Sequence, residues 1–367
     1  MKIGSVELSS PLVVSPMAGM TDTAFRRLVK RHGGCGLVVS EMVSSEGLVR
    51  GIDRTLEYAE YTEEERPVSI QIFGGDPDRM AEAARVVEGM GADVVDINMG
   101  CPVPKIAKHQ AGCSLMKEPA HAAAIVGAMT RAVKIPVTVK MRKGWDDGQT
   151  NAAEVAERVE QAGAAAITVH GRTAKQSYSG TADWDFVADV ARRVRIPVFG
   201  SGDCIEARQI VDRLQQGVSG VFVGRGVLRN PWILAQAADL LAGRAPRVVT
   251  PEERARFLLD YIDLLLDDGA AEAEGFRHVA PGQGETVADP RAKSRERWVV
   301  NKVRALCTWY TKGLDGGSHL RIAVNAAPSI AGVRELVDRF FLAPETFGPR
   351  GVADDEAADD AAVPAGR

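Results

Sequence analysis

Eight short apolar runs recur along the chain, each nearly continuous in Val, Ile and similar residues. They are Leu12–Ser15, Gly36–Ser40, Val68–Phe73, Asp93–Asn98, Pro136–Met141, Ala165–His170, Pro197–Ser201 and Gly220–Gly224. Runs without polar alternation suit parallel strands covered on both faces. Amphipathic stretches between most of them predict helices at Thr21–His32, Pro77–Met90, Pro119–Val133, Asn151–Ala162, Asp183–Arg193 and Glu206–Gln216. Glycine closes several of these, as at Gly91 and Gly163, in keeping with a helix C-cap. Eight strands with seven crossovers, plus a helix opening near Pro231, predict an α/β fold, a (β/α)8 TIM barrel over residues 1–245. An open doubly wound sheet would gather its polar chemistry at one switch point, whereas here polar residues end nearly every run.

After Arg244 the strand signal ceases. Thr250 is placed as an N-cap, with Glu253 completing a capping box. Helix-like stretches follow at Arg254–Asp268, Arg291–Lys312 and Ile330–Phe341. Residues 246–345 therefore read as a small C-terminal all-helical domain without strands. Within it, Gly269–Pro290 is rich in Gly, Ala and acids and reads as a flexible insertion. Residues 346–367 read as a disordered acidic tail.

Charge and cysteine usage narrow the setting. The 367 residues carry 45 basic and 49 acidic side chains, a formal net charge of −4. That balance argues against coating of nucleic acid by bulk charge and leaves room for a local basic face. No apolar run is long enough to span a bilayer, and the first residues lack the apolar core of a signal peptide. A cytoplasmic monomer is expected. The five cysteines are odd in number, widely spaced and free of any CxxC, which predicts reduced thiols. The six histidines form no HxxxH or HExxH, so no metal site is expected.

Candidate chemistry sits where the strands end. Ser15 to Asp22 is a Pro- and Gly-broken turn whose small residues allow a planar ligand close to the backbone. Gln71 lies inside an apolar strand and needs partners, either a flavin ring edge or core neighbours. Asn98 and Cys101 fall at the C-terminal edge of the fourth strand, where barrel enzymes place catalytic groups. Cys113 serves as the comparison thiol. Lys140 emerges from an apolar strand, and His170 occupies the same layer. The Gly-rich turns Gly200–Asp203 and Gly224–Gly226 follow strands seven and eight, where barrels often bind phosphate, with Arg225 as counter-charge.

Taken together, Ser15–Asp22, Ser40–Met42, Gln71–Gly74, Asp96–Pro102, Val139–Arg142 and Val169–Thr173 resemble the tRNA-dihydrouridine synthase family. Met99–Lys105 and the compact helical C-terminus are similar to its bacterial B-type branch. The resemblance spans roughly residues 4–343. It implies FMN in the barrel mouth, NADPH as electron donor and a uridine of the tRNA D-loop as substrate. Carried over by motif, Pro16, Met17 and Ala18 would contact FMN, and Gln71, Lys140 and His170 would hold its ring. Ser201, Gly202, Asp203, Gly224 and Arg225 would hold its phosphate. Cys101 would be the proton donor, with Asn98 and Arg142 facing the uracil. Ser201 stands where the family commonly has Asn, and His109–Ser114 departs from the usual wording.

One further expectation concerns docking. The run Arg291, Lys293, Arg295, Arg297, Lys302 and Arg304 contains a single acid, Glu296, in an otherwise acidic protein. Arg295 and Lys302 lie seven residues apart and share a helix face. They are read as tRNA phosphate contacts. The other readings of the barrel are an FMN enzyme for a free small molecule, of the dihydroorotate or dihydropyrimidine dehydrogenase kind, and an idle RNA-binding barrel.

Overall fold

The computed structural model describes residues 1–347 apart from 109, 268, 270 and 281–291. The expected tail beyond 347, His109 and Arg291 lie outside the described residues, as does the side chain of Lys293.

Eight parallel strands close into a barrel: β1 Leu12–Val14, β2 Leu37–Val39, β3 Val68–Phe73, β4 Val94–Met99, β5 Val137–Arg142, β6 Ala166–His170, β7 Val198–Ser201 and β8 Gly220–Val223. Each lies within one residue of the predicted run at either end. β8 pairs with β1, and β2 with β3, so the sheet has no break. The predicted crossover helices all form, Thr23–His32 being the first. Between β2 and β3 the chain also makes two short helices, Ser45–Val49 and Asp53–Ala59, which the sequence pattern did not mark.

Two cores divide the packing. The outer one joins the strands to the surrounding helices. The inner one, with Val13, Leu37, Val39, Ala166, Phe199 and Phe222, fills the barrel floor. A hairpin of Lys2–Ile3 against Val6–Glu7 seals it from below, placing Ile3 and Leu8 in that inner cluster. Its turn needs Gly4, at φ +55°, because a Cβ there would also come within 2.9 Å of Pro136 Cγ.

The helical region comprises Pro251–Leu266, Ala292–Tyr310, Gly317–Ala326 and Ile330–Leu342. The capping box forms as expected, with Glu253 N–H donating to Thr250 Oγ1 and Thr250 N–H to Glu253 Oε2. Such a cap is worth about 1 kcal/mol. This region shares an aromatic core with the barrel: Phe257 meets Phe25 at 6.2 Å and stacks on Tyr310 at 5.4 Å, and His32 stacks on Trp232.

Two expectations are corrected here. The helix Gly317–Ala326 was missed because it opens on Gly316 and Gly317, which read as a loop. The absence of strands after residue 245 does not hold either. Arg277–His278, inside the stretch expected to be flexible, pairs antiparallel with Tyr61–Thr62. His278 stacks on Tyr61 at 4.5 Å, and Arg277 and Arg27 both reach Glu272. Local composition carries no trace of these pairings.

Candidate active site

Strand register lines up the polar residues at the barrel mouth. Gln71 pairs with Asp96, Asn98 with Lys140, Arg142 with His170, and His170 with Ser201. Five strands thus bring six of the predicted site residues into adjacent rows.

A chain of hydrogen bonds fixes the direction of the amides. Thr138 Oγ1 donates to Asp96 Oδ1 at 2.6 Å, and Gln71 Nε2 donates to Asp96 Oδ2 at 2.7 Å. Asn98 Nδ2 then donates to Gln71 Oε1 at 2.8 Å. That leaves Asn98 Oδ1 to accept the N–H of Cys101 at 2.9 Å and of Gly100 at 3.1 Å. Burial pushes the Asp96 carboxyl up to about 6, opposed by its hydrogen bonds to Thr138 and Gln71. It is therefore mainly ionised at neutral pH, and a carboxylate can only accept, so the whole chain has one polarity.

Cys101 is held from both sides. Arg142 Nε donates to the Gly100 carbonyl at 2.8 Å, and Cys113 N–H donates to the Cys101 carbonyl at 3.1 Å. A Cβ on Gly112 would meet that carbonyl at 2.7 Å, so glycine is required for the approach. The Cys101 side chain is half-buried, and burial pushes its thiol up, so it stays protonated at neutral pH. Cys113 is fully buried and is pushed up to about 11 by the same cause. Only Cys101 reaches the mouth.

Lys140 and His170 are set for different roles. Among the described residues no hydrogen bond or ion pair reaches the Lys140 ammonium. Burial, then Arg142, push it down to about 8, while Asp96 and Cys101 oppose the shift. His170 Nδ1 lies 2.9 Å from the Ser201 carbonyl. A carbonyl cannot donate, so Nδ1 carries the proton and Nε2 keeps its lone pair. Burial holds His170 well below the usual imidazole range, so the ring is neutral.

At the seam where β8 pairs with β1, Met17 Sδ lies 3.6 Å from where a Cβ on Gly224 would stand, so the first and eighth turns lie side by side. Gly202 has φ +129°, and a Cβ on it would meet Ala182 and the His170 ring. The Asp203 carboxylate is committed to Arg172 at 2.7 Å and to the Ala182 N–H, with Arg225 at 3.8 Å. Its side chain therefore braces the turn. The sequence did not single out Tyr178, whose ring sits 4.7 Å from the Arg225 guanidinium and 5.9 Å from that of Arg142. Its sole signal was an aromatic in the loop after the sixth strand.

Three residues of the basic run, Arg295, Lys302 and Arg304, do not form a free face. Arg295 donates to the carbonyls of Leu265 and Asp267, closing the end of the helix Pro251–Leu266. Lys302 pairs with Asp22 at 2.9 Å and Glu41 at 3.4 Å. Arg304 donates to the carbonyls of Val324 and Ala327. The seven-residue spacing does put Arg295 and Lys302 on one face, but that face is packed, with Val299, Val303 and Leu306 buried beside it. Arg297, on the exposed side, makes no ion pair among the described residues. The described residues contain no group of three or more potential metal ligands, and no helix long and apolar enough to cross a membrane.

Comparison with known proteins adds the decisive observation. The family model described as dihydrouridine synthase (Dus) matches residues 12–305. This chain belongs to the dihydrouridine synthase family. A probable tRNA-dihydrouridine synthase of Rickettsia conorii is 38% identical over 343 residues, covering 93% of this chain and 96% of that protein. A probable tRNA-dihydrouridine synthase of Rhodobacter capsulatus is 44% identical over 270 residues, 72% of this chain and 82% of its own length. The tRNA-dihydrouridine synthase B of Pseudomonas aeruginosa is 41% identical over 266 residues, 71% and 79% of the two chains. The family resemblance carried by the strand-end motifs is thus borne out, and so is the barrel.

Proposed function

We propose that this chain reduces the C5=C6 bond of a D-loop uridine in tRNA, with FMN in the barrel mouth, NADPH as electron donor and Cys101 as proton donor. The observation that carries the reading is the meeting of a protonated, half-buried thiol, an unpartnered ammonium and a neutral imidazole at one mouth, in a chain of this family. The donor set suits FMN. An ammonium that no hydrogen bond or ion pair reaches among the described residues is matched by the carbonyl edge of a flavin, and the glycine at 202 lets the seventh turn close against the His170 ring, where a Cβ would intrude.

FMN, when bound and reduced, supplies a hydride for uracil C6. The chain's own residues do the rest. Lys140 and Gln71 present donors to the ring edge, and Lys140 balances negative charge there. His170 offers the Nε2 lone pair. Cys101 gives its proton to C5, and its raised thiol range keeps that proton available at neutral pH. Asn98 and Arg142 fix the Cys101 loop, so their part toward the uracil is also one of placing the acid. The uridine must leave its stack to enter, at a cost of a few kcal/mol that tRNA contacts offset.

Purified protein should be yellow, with flavin released as FMN on denaturation. A colourless protein that takes up no added FMN would sink this reading. Mapping dihydrouridine in tRNA from cells lacking the gene tests the substrate, and an unchanged D-loop would count against it.

Docking of tRNA falls to the exposed bases rather than the packed ones. Lys105 and Lys108, in the loop after β4, are exposed along with Arg297. Reversing Lys108 and Arg297 together is expected to weaken tRNA binding and to lower the slope of log K against log salt by roughly 1–2. The check is filter binding across a salt series, and an unchanged slope would return both residues to ordinary surface.

A further inference from the structure

Lys302 belongs to the helical region, yet its ammonium ends at the barrel mouth. It donates to the Gly19 carbonyl at 2.8 Å and lies 2.9 Å from Asp22 Oδ2 and 3.4 Å from Glu41 Oε1. Glu41, only 5% exposed, accepts the Gly19 N–H through its other oxygen at 2.5 Å. Both backbone groups of Gly19 are thus gripped, one by the lysine and one by the glutamate. Gly19 is exposed and sits at φ +79° with nothing within 4 Å of a would-be Cβ, so the grip adds to the Met20 and Thr21 N–H groups that close the turn by donating to the Met17 carbonyl. A second residue of the helical region joins in: buried Tyr261 donates to Asp22 Oδ2 at 2.8 Å, while Asp22 Oδ1 caps the helix Thr23–His32.

We propose that Lys302 is a positioning residue that reaches from the helical region to lock the Pro16–Asp22 turn into the barrel mouth through Gly19, Glu41 and Asp22. The proposal rests on the reading above in one respect, that Pro16, Met17 and Ala18 of this turn face FMN. Two enclosed carboxylates share one ammonium, so losing the ammonium leaves charge unpaired in a place where water is scarce. The turn would then relax toward solvent. The helical region would by this route govern the shape of the cofactor site, in addition to any contact with RNA.

The test uses the full chain, with and without FMN, as Lys302→Met, the double variant Glu41→Gln/Lys302→Met, and Tyr261→Phe. Hydrogen exchange over Met17–Asp22 is read without FMN, and FMN affinity by fluorescence. In Lys302→Met, exchange there should rise on the order of 10-fold or more, with the salt slope of tRNA binding unchanged. The double variant should recover most of the protection, because the amide oxygen introduced by Glu41→Gln still accepts the Gly19 N–H and the charge beside it is gone. Tyr261→Phe should move exchange in the same direction by less, which keeps the test alive if Lys302→Met fails to fold. Unchanged exchange in Lys302→Met overturns the proposal. So does unchanged exchange with a reduced tRNA salt slope, which would make Lys302 a phosphate contact. A rise in exchange with weakened FMN binding supports both readings. A rise without any change in FMN affinity supports the positioning role and overturns the placement of FMN against this turn.

Discussion

Replacing Cys101 with alanine is expected to cut dihydrouridine formation by roughly 10²–10⁴-fold, the usual range for losing a positioned general acid. Reduction of the flavin by NADPH should be unaffected, since in the proposed mechanism the thiol acts only after hydride reaches the uracil. Stopped-flow reduction and single-turnover oxidation by tRNA separate the two half-reactions. Cys113→Ala is the control. Its sulfur is fully buried behind the Cys101 loop, so the substitution should lower stability by about 1 kcal/mol and leave turnover largely intact. If the two variants exchanged these phenotypes, the acid would be misassigned.

Lys140→Met is expected to move stability and cofactor affinity in opposite directions. In the cofactor-free protein the ammonium is held down to about 8 from an ordinary 10.5. Between those values the unfolded chain binds more protons than the folded one, so stability rises with pH across that window. Below about pH 8 the full penalty of the enclosed charge is present. Removing the charge should therefore stabilise the cofactor-free protein by roughly 1–3 kcal/mol at neutral pH. Methionine keeps most of the stem's packing. The same change should weaken FMN binding more than 10-fold, since a charge-assisted hydrogen bond is worth about 1.5–3 kcal/mol. Melting curves with and without FMN read both effects. A lysine that is only a structural element would instead lower the melting temperature when replaced.

The barrel was legible because its strands are apolar on both faces, so the runs stand out and their ends are marked by the first polar residues. Gln71, Asn98, Lys140 and His170 were found for that reason: each interrupts an apolar run, Gln71 from inside its strand and the others close to where theirs stop. Residues that act through orientation were not legible. Lys302 and Arg295 showed their charge and their shared helix face, but only the packing of Val299 and Val303 reveals that this face is turned inward. Glu41 appeared in a motif without a role, because its partner is 261 residues away. Tyr178 sits in a loop whose path no periodicity encodes. The strand Arg277–His278 depends on a pairing with Tyr61–Thr62 that leaves no trace in local composition.

The single polarity imposed by Asp96 bears on which ring edge the mouth can hold. With the carboxylate taking one N–H of Gln71 and Gln71 Oε1 taking an N–H of Asn98, the group that amide has left for a ligand is its second N–H. Beside the Lys140 ammonium it makes a pair of donors, which under the proposed placement of FMN meets the carbonyl edge of the flavin. An amide turned the other way would set acceptor against acceptor there, a mismatch of about 1–3 kcal/mol, roughly 5- to 150-fold in affinity. A buried aspartate that touches no ligand would thereby help to select the face a bound ring presents.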